Sequence, residues 1–423
     1  MLQISYIREN KDEVIAGLQK RNFKELNLID DVIALDESRR TLQGNSEAIA
    51  AEANSCAKQI GELMRQGKKE EAEAIKAKTS GHKSQLKEFG DELVRVEQEL
   101  HDKLVQLPNL PHTSVPIGTS PEENEVVLEH GEIPSLGDHA LPHWELAAKY
   151  KLIDFELGTK IAGAGFPVYT GKGARLQRGL INFFLDEAMK AGYHEVQVPH
   201  VVNETSAYST GALPDKEGQM YHITQDDLYL IPTAEVPVTN IYRDEIVKEE
   251  QFPIMNCAYT PCFRREAGSY GAHVRGLNRL HQFDKIEIVQ VVHPDKSYDT
   301  LEEMSTYVQS LLQKLELPYR VLRLCGGDMG FASALTYDME TYSTAQQRWL
   351  EVSSVSNFET FQSNRLKVRF RNGEGKMTLA HTLNGSALAL PRIVATLLEN
   401  HQTEKGIKIP KVLVPYVGFE YID

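Results

Sequence analysis

Residues 260–289 read TPCFRREAGSYGAHVRGLNRLHQFDKIEIV, and this stretch decides how the remaining chain is interpreted. Apolar and polar residues alternate in a run that ends at Arg264, Arg265 and Glu266, and they alternate again over 280–289. Alternation of this kind predicts two β-strands. The three glycines between the two runs predict a long hairpin loop rather than a tight turn.

The hairpin is also rich in arginine. Four arginines fall within sixteen positions, namely Arg264, Arg265, Arg275 and Arg279. Guanidinium groups form paired hydrogen bonds with carboxylates and phosphates, so the hairpin suits a ligand with several negative oxygens. A solvated basic hairpin without a ligand explains the same residues, and only the rest of the chain distinguishes the two interpretations.

The composition is that of a globular protein with more than one domain. The chain has 423 residues, 41% hydrophobic and 25% charged, which leaves room for two or three domains. A net charge of −14 argues against a protein that coats nucleic acid indiscriminately, so a nucleic-acid partner would have to meet a local basic patch. No apolar run approaches the roughly 20 residues that span a bilayer, and no secretory signal is visible. We therefore expect a cytoplasmic protein without a membrane partner.

The four cysteines do not form a metal-binding pattern. Cys257 and Cys262 are the only close pair, and no second Cys or His pair stands beside them at ligand spacing. We expect free thiols in a reducing cytoplasm and no structural zinc.

A helical repeat occupies the N-terminal part of the chain. Apolar residues recur at steps of three and four from Leu28 to Leu63, and again from Ala72 to Leu100 after a polar break that contains Gly67. A 3.5-residue repeat of this length predicts a coiled coil, and the break predicts an antiparallel hairpin. Each helix would reach roughly 50–60 Å at 1.5 Å per residue, so we expect an arm that projects.

The middle of this arm, where the chain reverses, is basic. Between Arg65 and Lys87, seven Lys and Arg residues oppose three Glu, which leaves a local charge of +4. A solvated coiled-coil surface always carries charge, but a basic excess at the distal end of an arm also suits a phosphate backbone recognised by its shape. Prolines at 108 and 111 end the second helix and predict a domain boundary between residues 107 and 108.

Three segments of the C-terminal part carry polar residues beside predicted strands. The carboxylate and hydroxyl of Thr-Ala-Glu, 233–235, suit an ammonium group. Residues 348–354 alternate like a strand and place the oxygens of Glu351 and Ser354 three positions apart, which suits Mg²⁺ bound together with phosphates. Residues 377–400 predict a strand, a small turn at 384–386 and a helix that carries an arginine on its second turn.

These segments together resemble the class II aminoacyl-tRNA synthetases, and among them the seryl-tRNA synthetases. The hairpin resembles motif 2, a strand ending in Phe-Arg-x-Glu followed by a loop and an Arg before the returning strand. Residues 172–199 resemble motif 1, and 377–400 resemble motif 3. The resemblance covers nearly the whole chain and implies an α+β fold. Residues 1–107 would form an antiparallel two-helix coiled coil, and residues 108–423 a class II catalytic domain with a largely antiparallel β-sheet flanked by helices.

The resemblance implies serine–tRNA ligase activity. The enzyme would activate L-serine with ATP and Mg²⁺ to seryl-adenylate and transfer serine to the 3′ end of tRNA(Ser), and of tRNA(Sec) where that tRNA is present. The coiled-coil arm would bind the tRNA, and motif 1 would lie at the interface of a homodimer.

The resemblance also assigns site residues. The catalytic set would be Arg264, Glu351 and Arg392, with Mg²⁺ held by Glu351 and Ser354. The serine site would comprise Thr233, Ala234, Glu235, Glu287, Asn384 and Ser386. The ATP site would comprise Arg264, Arg265, Glu266, Arg279, Leu280, Phe283, Glu351, Val352, Ser353, Ser354 and Arg392.

The motif 2 loop departs from the family pattern at Tyr270-Gly271-Ala272-His273-Val274, so the resemblance assigns no tRNA contacts there. Three alternatives are a synthetase-like enzyme that charges a carrier protein, an inactive scaffold, and a synthetase for another amino acid. The arm argues against the first, the complete set of charged site residues against the second, and Thr-Ala-Glu with Glu287 against the third.

Overall fold

A computed structural model of the chain describes residues 1–137, 140–267 and 274–423. The unusual loop residues 270–273 therefore lie outside the described residues. Contacts divide the chain into an arm unit, Leu2–Gln19 with Phe23–Pro108, and a larger unit, Met1 and Lys20–Asn22 with Asn109–Asp423. We call the larger one the catalytic unit, after the family that the sequence resembles. In the ranges described, no helix is both long and apolar enough to cross a lipid bilayer.

The arm unit is built from α-helices. Their bounds are α1 Ile4–Glu9, α2 Lys11–Lys20, α3 Leu28–Arg65, α4 Lys69–Lys78 and α5 His82–Leu104. Helix α3 has 38 residues, about 57 Å in length, and packs against α4 and α5 as the apolar repeat predicts. The two-helix coiled coil is confirmed in its general form.

The returning half of this hairpin is divided into two helices. Residues 79–81 form a turn between α4 and α5. Thr79 Oγ1 donates to the Ile75 carbonyl at 3.3 Å, and Ser80 Oγ donates to the Ala77 carbonyl at 2.8 Å. Hydroxyl groups that bond to nearby carbonyls compete with the helical hydrogen bonds, and the following Gly81 is a poor helix former. The apolar repeat continues through this turn, which is why the periodicity alone does not reveal it.

The described part of the catalytic unit contains both helices and strands. The helices are α6 His143–Lys149, α7 Phe155–Ala162, α8 Gly171–Lys190, α9 Glu204–Thr210, α10 Glu235–Thr239, α11 Ser297–Lys314, α12 Thr360–Leu366, α13 Leu390–Asn400 and α14 Val414–Val417. The strands are β1 Glu125–His130, β2 Ile153–Asp154, β3 Val168–Tyr169, β4 His194–Glu195, β5 Val201–Asn203, β6 His222–Ile223, β7 Leu228–Leu230, β8 Ile246–Val247, β9 Ile254–Phe263, β10 Gln282–Val292, β11 Tyr319–Arg323, β12 Leu335–Ser343, β13 Arg348–Glu359, β14 Arg369–Arg371, β15 Met377–Leu379, β16 His381–Ala389, β17 Gln402–Thr403, β18 Gly406–Lys408 and β19 Tyr421–Ile422.

The central sheet has eight strands in the order β1-β11-β12-β13-β16-β10-β9-β4. All neighbouring strands run antiparallel except β4 and β9, which are parallel. Helices α8, α11 and α13 pack against the sheet and bury its apolar residues in one large core. The largely antiparallel sheet flanked by helices is therefore confirmed.

The motif 2 hairpin is the pair β9 and β10, and β10 also pairs with β16 on its other edge. Glu287 of β10 lies opposite Ser386 of β16, and Phe283 lies opposite Cys262 of β9. Alternate residues of a strand share one face, so Phe283, Lys285 and Glu287 point to the same side of the sheet.

The predicted turn at 384–386 is wrong, because these residues lie inside strand β16. Helix α13 begins at Leu390, three residues later than predicted. The small residue Gly385 has a packing reason instead: a Cβ at this position would meet the side chain of Val355 at 3.1 Å. Close approach of neighbouring strands and a turn both favour glycine, and the sequence does not separate them.

Candidate active site

A cavity of about 490 Å³ lies among β10, β13, β16 and the start of α13. It brings together residues that are up to about 160 positions apart in the sequence. The predicted residues that line it are Thr233, Glu235, Arg264, Glu266, Arg279, Leu280, Phe283, Glu287, Glu351, Val352, Ser353, Ser354, Asn384, Ser386 and Arg392.

Two predicted residues are not in the cavity wall. The Ala234 side chain is fully buried and packs with Val238, Ala258 and Val289. Arg265 is exposed, and its backbone N–H donates to the Gln219 carbonyl at 2.9 Å. Their neighbours Thr233 and Arg264 point into the cavity, so each pair presents one residue to the site and one away from it.

Glu287 is a buried carboxylate whose charge has a partner. Only 2% of its side chain is exposed, and it forms an ion pair with Lys285, which is 7% exposed. The Thr233 hydroxyl donates to Glu287 Oε2 at 3.1 Å. Burial raises the pKa of Glu287, while the Lys285 ammonium and the Thr233 hydroxyl act in the opposite direction.

Glu235 is a second acidic group in the same part of the cavity. Burial, followed by the negative charge of Glu287, raises the pKa of Glu235 to about 7. Gln362 Nε2 donates to Glu235 Oε1 at 2.6 Å and fixes the carboxyl group. Two neighbouring carboxyl groups that share one ammonium partner leave room for a second cation, such as the ammonium group of a ligand.

Arg264 is held by a backbone group. Its Nε donates to the Pro232 carbonyl at 3.3 Å, and its guanidinium lies 5.3 Å from the centre of the Phe283 ring. The Arg264 backbone N–H donates to the His281 carbonyl at 2.9 Å, which continues the β9–β10 hairpin beyond the strands. The aromatic ring and the guanidinium thus form one wall of the cavity.

Arg392 is held in the same way. Its Nε donates to the Asn278 carbonyl at 3.0 Å, and its NH1 donates to the Glu351 carbonyl at 2.7 Å. The Glu351 carboxylate is farther away, with 3.5 Å between Oε2 and NH1. The guanidinium therefore has two neutral acceptors and one weak ionic contact.

Glu266 and Arg279 form an ion pair at the motif 2 loop, with 2.8 Å between Oε2 and NH1. The Glu266 side chain is 13% exposed and that of Arg279 is 46% exposed. Glu266 has a positive φ of 47°, which directs its side chain differently from a residue that continues the strand.

Side-chain oxygens that could bind a metal ion lie on β13. Glu351 and Ser354 both line the cavity, and Asp338 lies on the neighbouring strand β12. Asp338 is opposite Ser354 in the β12–β13 register. Burial, together with the charge of Glu351, raises the pKa of Asp338 well above its ordinary value.

The sequence analysis missed several residues of the cavity wall. Lys285 has a signal, because the alternation of β10 places it between Phe283 and Glu287 on the same face. The sequence gives no signal for Asn278, which lies in a loop, or for Phe358, which lies at the end of β13. Only long-range folding brings these two residues to the site.

Comparison with known proteins gives the same picture over the entire chain. Residues 1–111 match the family model described as the seryl-tRNA synthetase N-terminal domain. Residues 221–401 match the model of the tRNA synthetase class II core domain for G, H, P, S and T. A serine–tRNA ligase of Salinibacter ruber is 50% identical, and the alignment covers 100% of this chain and 99% of the relative. The chain belongs to the seryl-tRNA synthetase family.

Solved structures of seryl-tRNA synthetases have the same fold. A crystal structure of the enzyme from Pyrococcus horikoshii complexed with ATP is 32% identical, with a TM-score of 0.93 over 99% of each chain. The cytoplasmic serine–tRNA ligase of Naegleria fowleri in complex with AMP is 27% identical, with a TM-score of 0.88 over 100% of this chain and 99% of that one.

The ion pair in the cavity leads to a prediction about stability. In Lys285→Met the Glu287 carboxylate stays buried without its cation, so the free energy of unfolding at pH 8 should fall by about 3 kcal/mol. The two tryptophans, Trp144 and Trp349, both belong to the catalytic unit, so urea unfolding followed by their fluorescence reports on this unit.

The pH dependence supplies the control. Without Lys285, the pKa of Glu287 rises further, and a raised pKa means that stability is retained at low pH and lost as the pH increases. The deficit should therefore shrink towards pH 5, and Lys285→Met combined with Glu287→Gln should recover most of it. A single variant as stable as the wild type at pH 8 would contradict this account.

Proposed function

We propose that this cavity activates L-serine with ATP, and that the enzyme then transfers the seryl group to the 3′ end of tRNA(Ser), and of tRNA(Sec) where it is present. One observation carries the proposal. Glu287, a buried and paired carboxylate, lies in the same cavity as Arg264 and Arg392. A carboxylate in this environment accepts a hydrogen bond from a small alcohol, and the arginines suit a triphosphate.

The reaction has two steps, and neither requires a protein nucleophile. An oxygen of the serine carboxylate attacks the α-phosphorus of ATP, the bond to the bridging oxygen breaks, and pyrophosphate leaves. A hydroxyl of the terminal ribose of the tRNA then attacks the acyl carbon, and AMP leaves. Both steps depend on positioning the reactants and on neutralising the charge that develops on phosphate oxygens.

The arginines would supply most of this neutralisation. Arg264 would bridge the serine carboxylate and the α-phosphate, because its planar fork reaches two oxygens at once. Arg392 would cover one face of the adenine and reach the γ-phosphate. Arg279 would face the terminal phosphates, and its present ion pair with Glu266 lies at the edge of the same cavity.

Adenine would be held by stacking and by one carboxylate. Phe283 would stack on the second face of the base, and Leu280 beside it would complete the apolar surface. Glu266 would accept a hydrogen bond from the adenine amino group. Val352 and Ser353, which are buried in β13, would form the floor beneath the nucleotide.

Glu351 and Ser354 fit a magnesium ion that arrives with ATP. Both residues line the cavity from one strand, and Asp338 lies opposite Ser354 in the β12–β13 register. Magnesium needs only one or two protein oxygens when phosphates and water supply the others. When bound, the ion would neutralise phosphate charge, while these two residues hold and orient it.

Serine would bind at the acidic part of the cavity. Glu235, Thr233 and the Asn384 amide would hold its ammonium group, and Glu287 with Ser386 would surround its hydroxyl. Alanine would leave Glu287 without the hydroxyl donor, and sites of this kind discriminate by roughly 10⁴-fold. Ala234 would contribute only by keeping its two neighbours in place, and Arg265 has no contact with the cavity.

The proposal is tested by pyrophosphate exchange with a panel of amino acids. Wild-type protein should exchange ATP and pyrophosphate with serine and not with alanine. Glu287→Ala should lower the serine-dependent rate by roughly 10⁴-fold, because the hydroxyl loses its acceptor. Glu287→Gln retains an acceptor oxygen, so its serine-dependent exchange rate should lie between those of the wild type and Glu287→Ala. Near-normal exchange by Glu287→Ala would overturn the role of this residue.

Serine affinity should also depend on pH. The pKa of Glu235 is about 7, so its ionised fraction rises about tenfold between pH 6 and pH 8. The serine ammonium stays charged over this range and binds the ionised carboxylate. The KM for serine in the exchange reaction, at saturating ATP, should therefore fall by up to about tenfold as the pH rises.

Glu235→Gln is the matched control for this titration. It keeps the shape of the side chain and the contact with Gln362, but it removes the ionisable group. Its KM for serine should be high and independent of pH over the same range. A wild-type KM that does not change between pH 6 and pH 8 would exclude the assigned role.

We also assign tRNA binding to the arm unit and place the functional boundary between residues 107 and 108. The support is the local charge of +4 between Arg65 and Lys87 in a chain whose net charge is −14. Motif 1 would make the enzyme a homodimer in the cytoplasm. Its strand β4 is the last strand of the central sheet, at the edge where no further described strand pairs with it.

Neutralising the arm should weaken tRNA binding and leave serine activation intact. Lys69, Lys78 and Lys83 are exposed in the arm unit. Replacing all three with Gln should raise the KM for tRNA(Ser) and reduce the salt dependence of charging by up to about one unit of slope per lysine. The matched control replaces Lys405, Lys408 and Lys411, which are exposed in the catalytic unit. Equal effects of the two triple variants on charging would contradict a specific role of the arm.

A further inference from the structure

A buried polar cluster lies behind the cavity and contains an ionisable pair that the proposed mechanism does not use. His143 of α6 and Glu399 of α13 both have fully buried side chains. His143 Nδ1 is 2.7 Å from Glu399 Oε1, and the backbone N–H of His143 donates to the same oxygen at 2.9 Å. Gln346 Nε2 donates to Oε1 at 2.9 Å, and the Ser343 hydroxyl donates to Oε2.

These donors keep the Glu399 carboxylate ionised. Burial raises the pKa of Glu399, but the contacts with His143 and the Ser343 hydroxyl act in the opposite direction, and the pKa lies below its ordinary value. Both carboxylate oxygens have donors, so the cost of burying the charge is largely compensated.

The second nitrogen of His143 reaches the motif 2 hairpin. The backbone N–H of Leu277 donates to His143 Nε2 at 2.8 Å. Nε2 is therefore an acceptor, which places the proton on Nδ1, where it is donated to Glu399. Glu399 thus fixes the tautomer of His143, and this tautomer is the one that binds Leu277.

The ring of His143 also explains a glycine of the hairpin. Gly276 has a φ of 70°, and a Cβ at this position would lie 2.2 Å from His143 Nε2. Both residues therefore contact the imidazole: Gly276 packs closely against the ring, and Leu277 donates a hydrogen bond to it.

The next residue connects the cluster to the nucleotide arginine. The Asn278 carbonyl accepts the 3.0 Å hydrogen bond from Arg392 Nε, and the Asn278 amide donates to Gln346 Oε1 at 2.9 Å. Gln346 thus bonds to both Glu399 and Asn278. The segment that orients Arg392 is therefore held at the Leu277 N–H by His143 and at the Asn278 side chain by Gln346.

We propose that His143 and Glu399 are positioning residues of the ATP site, which act through Leu277, Asn278 and Gln346 on the guanidinium of Arg392. The inference rests on the proposed function for the role of Arg392. It assigns to the buried pair a task in ATP binding and none in serine binding, because Glu235 and Glu287 have no contact with the cluster among the bonds observed in the described residues.

Two substitutions of His143 separate this role from a purely structural one. His143→Asn retains an amide near the position of Nδ1, which bonds to Glu399, but it does not reach Leu277. His143→Gln places an amide oxygen near the position of Nε2, where it accepts from the Leu277 N–H. We expect His143→Asn to raise the KM for ATP about five- to tenfold, the effect of one lost hydrogen bond, with the KM for serine unchanged. His143→Gln should restore most of the ATP affinity.

Gln346→Met gives a second test that does not alter a fully buried residue, because Gln346 is partly exposed. It removes the amide that bonds to Asn278 and should also raise the KM for ATP selectively. His401→Asn is the control. This histidine donates to the Leu315 carbonyl at 3.1 Å at the end of α13, away from the cavity, and its loss should not change the ratio of the two KM values.

The outcomes separate the two proposals. Wild-type protein that binds ATP by calorimetry but shows no serine-dependent exchange would refute the proposed function, and ATP binding by the variants would still test the positioning role. If the wild type is active in exchange, two results would overturn the positioning role. One is an equal increase of the KM for ATP in His143→Asn and His143→Gln. The other is a parallel change of the KM for ATP and the KM for serine in these variants. Unchanged ATP affinity in both His143→Asn and Gln346→Met would overturn it as well.

Discussion

The site depends on the register of strand β10 between β9 and β16. Alternate residues of β10 carry the aromatic ring of Phe283, the ammonium of Lys285 and the carboxylate of Glu287 to one face. The same register places Ser386 opposite Glu287. A slip of one residue would turn all three β10 side chains to the other face of the sheet. The hydrogen bonds on both edges of β10 therefore fix the chemistry of the cavity as well as the fold.

The buried charges are better explained by function than by stability. Burying an ion pair such as Lys285 and Glu287 costs desolvation energy that the attraction between the charges repays only in part. Apolar residues of similar size would stabilise the core at least as well. Glu235 adds a second carboxyl group nearby, and its pKa of about 7 reflects the cost of a further negative charge. A cationic ligand at this place would relieve that cost, and in the proposed function this would favour the binding of an ammonium group.

Local patterns predicted the main elements of the arm and of the hairpin, whereas the family resemblance supplied the class II fold and the residues of the cavity wall. The repeat from Leu28 to Leu100 predicted the helical hairpin, and alternation around 260–289 predicted the β9–β10 pair. Patterns failed where the cause is not local. Residues 384–386 resemble a turn because Gly385 is small, but the reason is the approach of Val355 from the next strand. His143 lies 134 positions from Leu277, and no spacing rule connects them.

In the proposed function the two central arginines must be held in place and still attract phosphates, and their hydrogen bonds fit both requirements. Arg264 donates to the Pro232 carbonyl, and Arg392 donates to the carbonyls of Asn278 and Glu351. Carbonyl groups orient a guanidinium without neutralising its charge, whereas a carboxylate does both. Arg279 has a carboxylate partner, Glu266, and its side chain is more exposed than that of Arg392. Neutral acceptors therefore make most of the contacts of these two guanidinium groups, and the 3.5 Å contact between Arg392 and Glu351 is the weak ionic one. In the proposed positioning role, the hydrogen bonds to Leu277 and Asn278 extend the functional site beyond the residues that line the cavity.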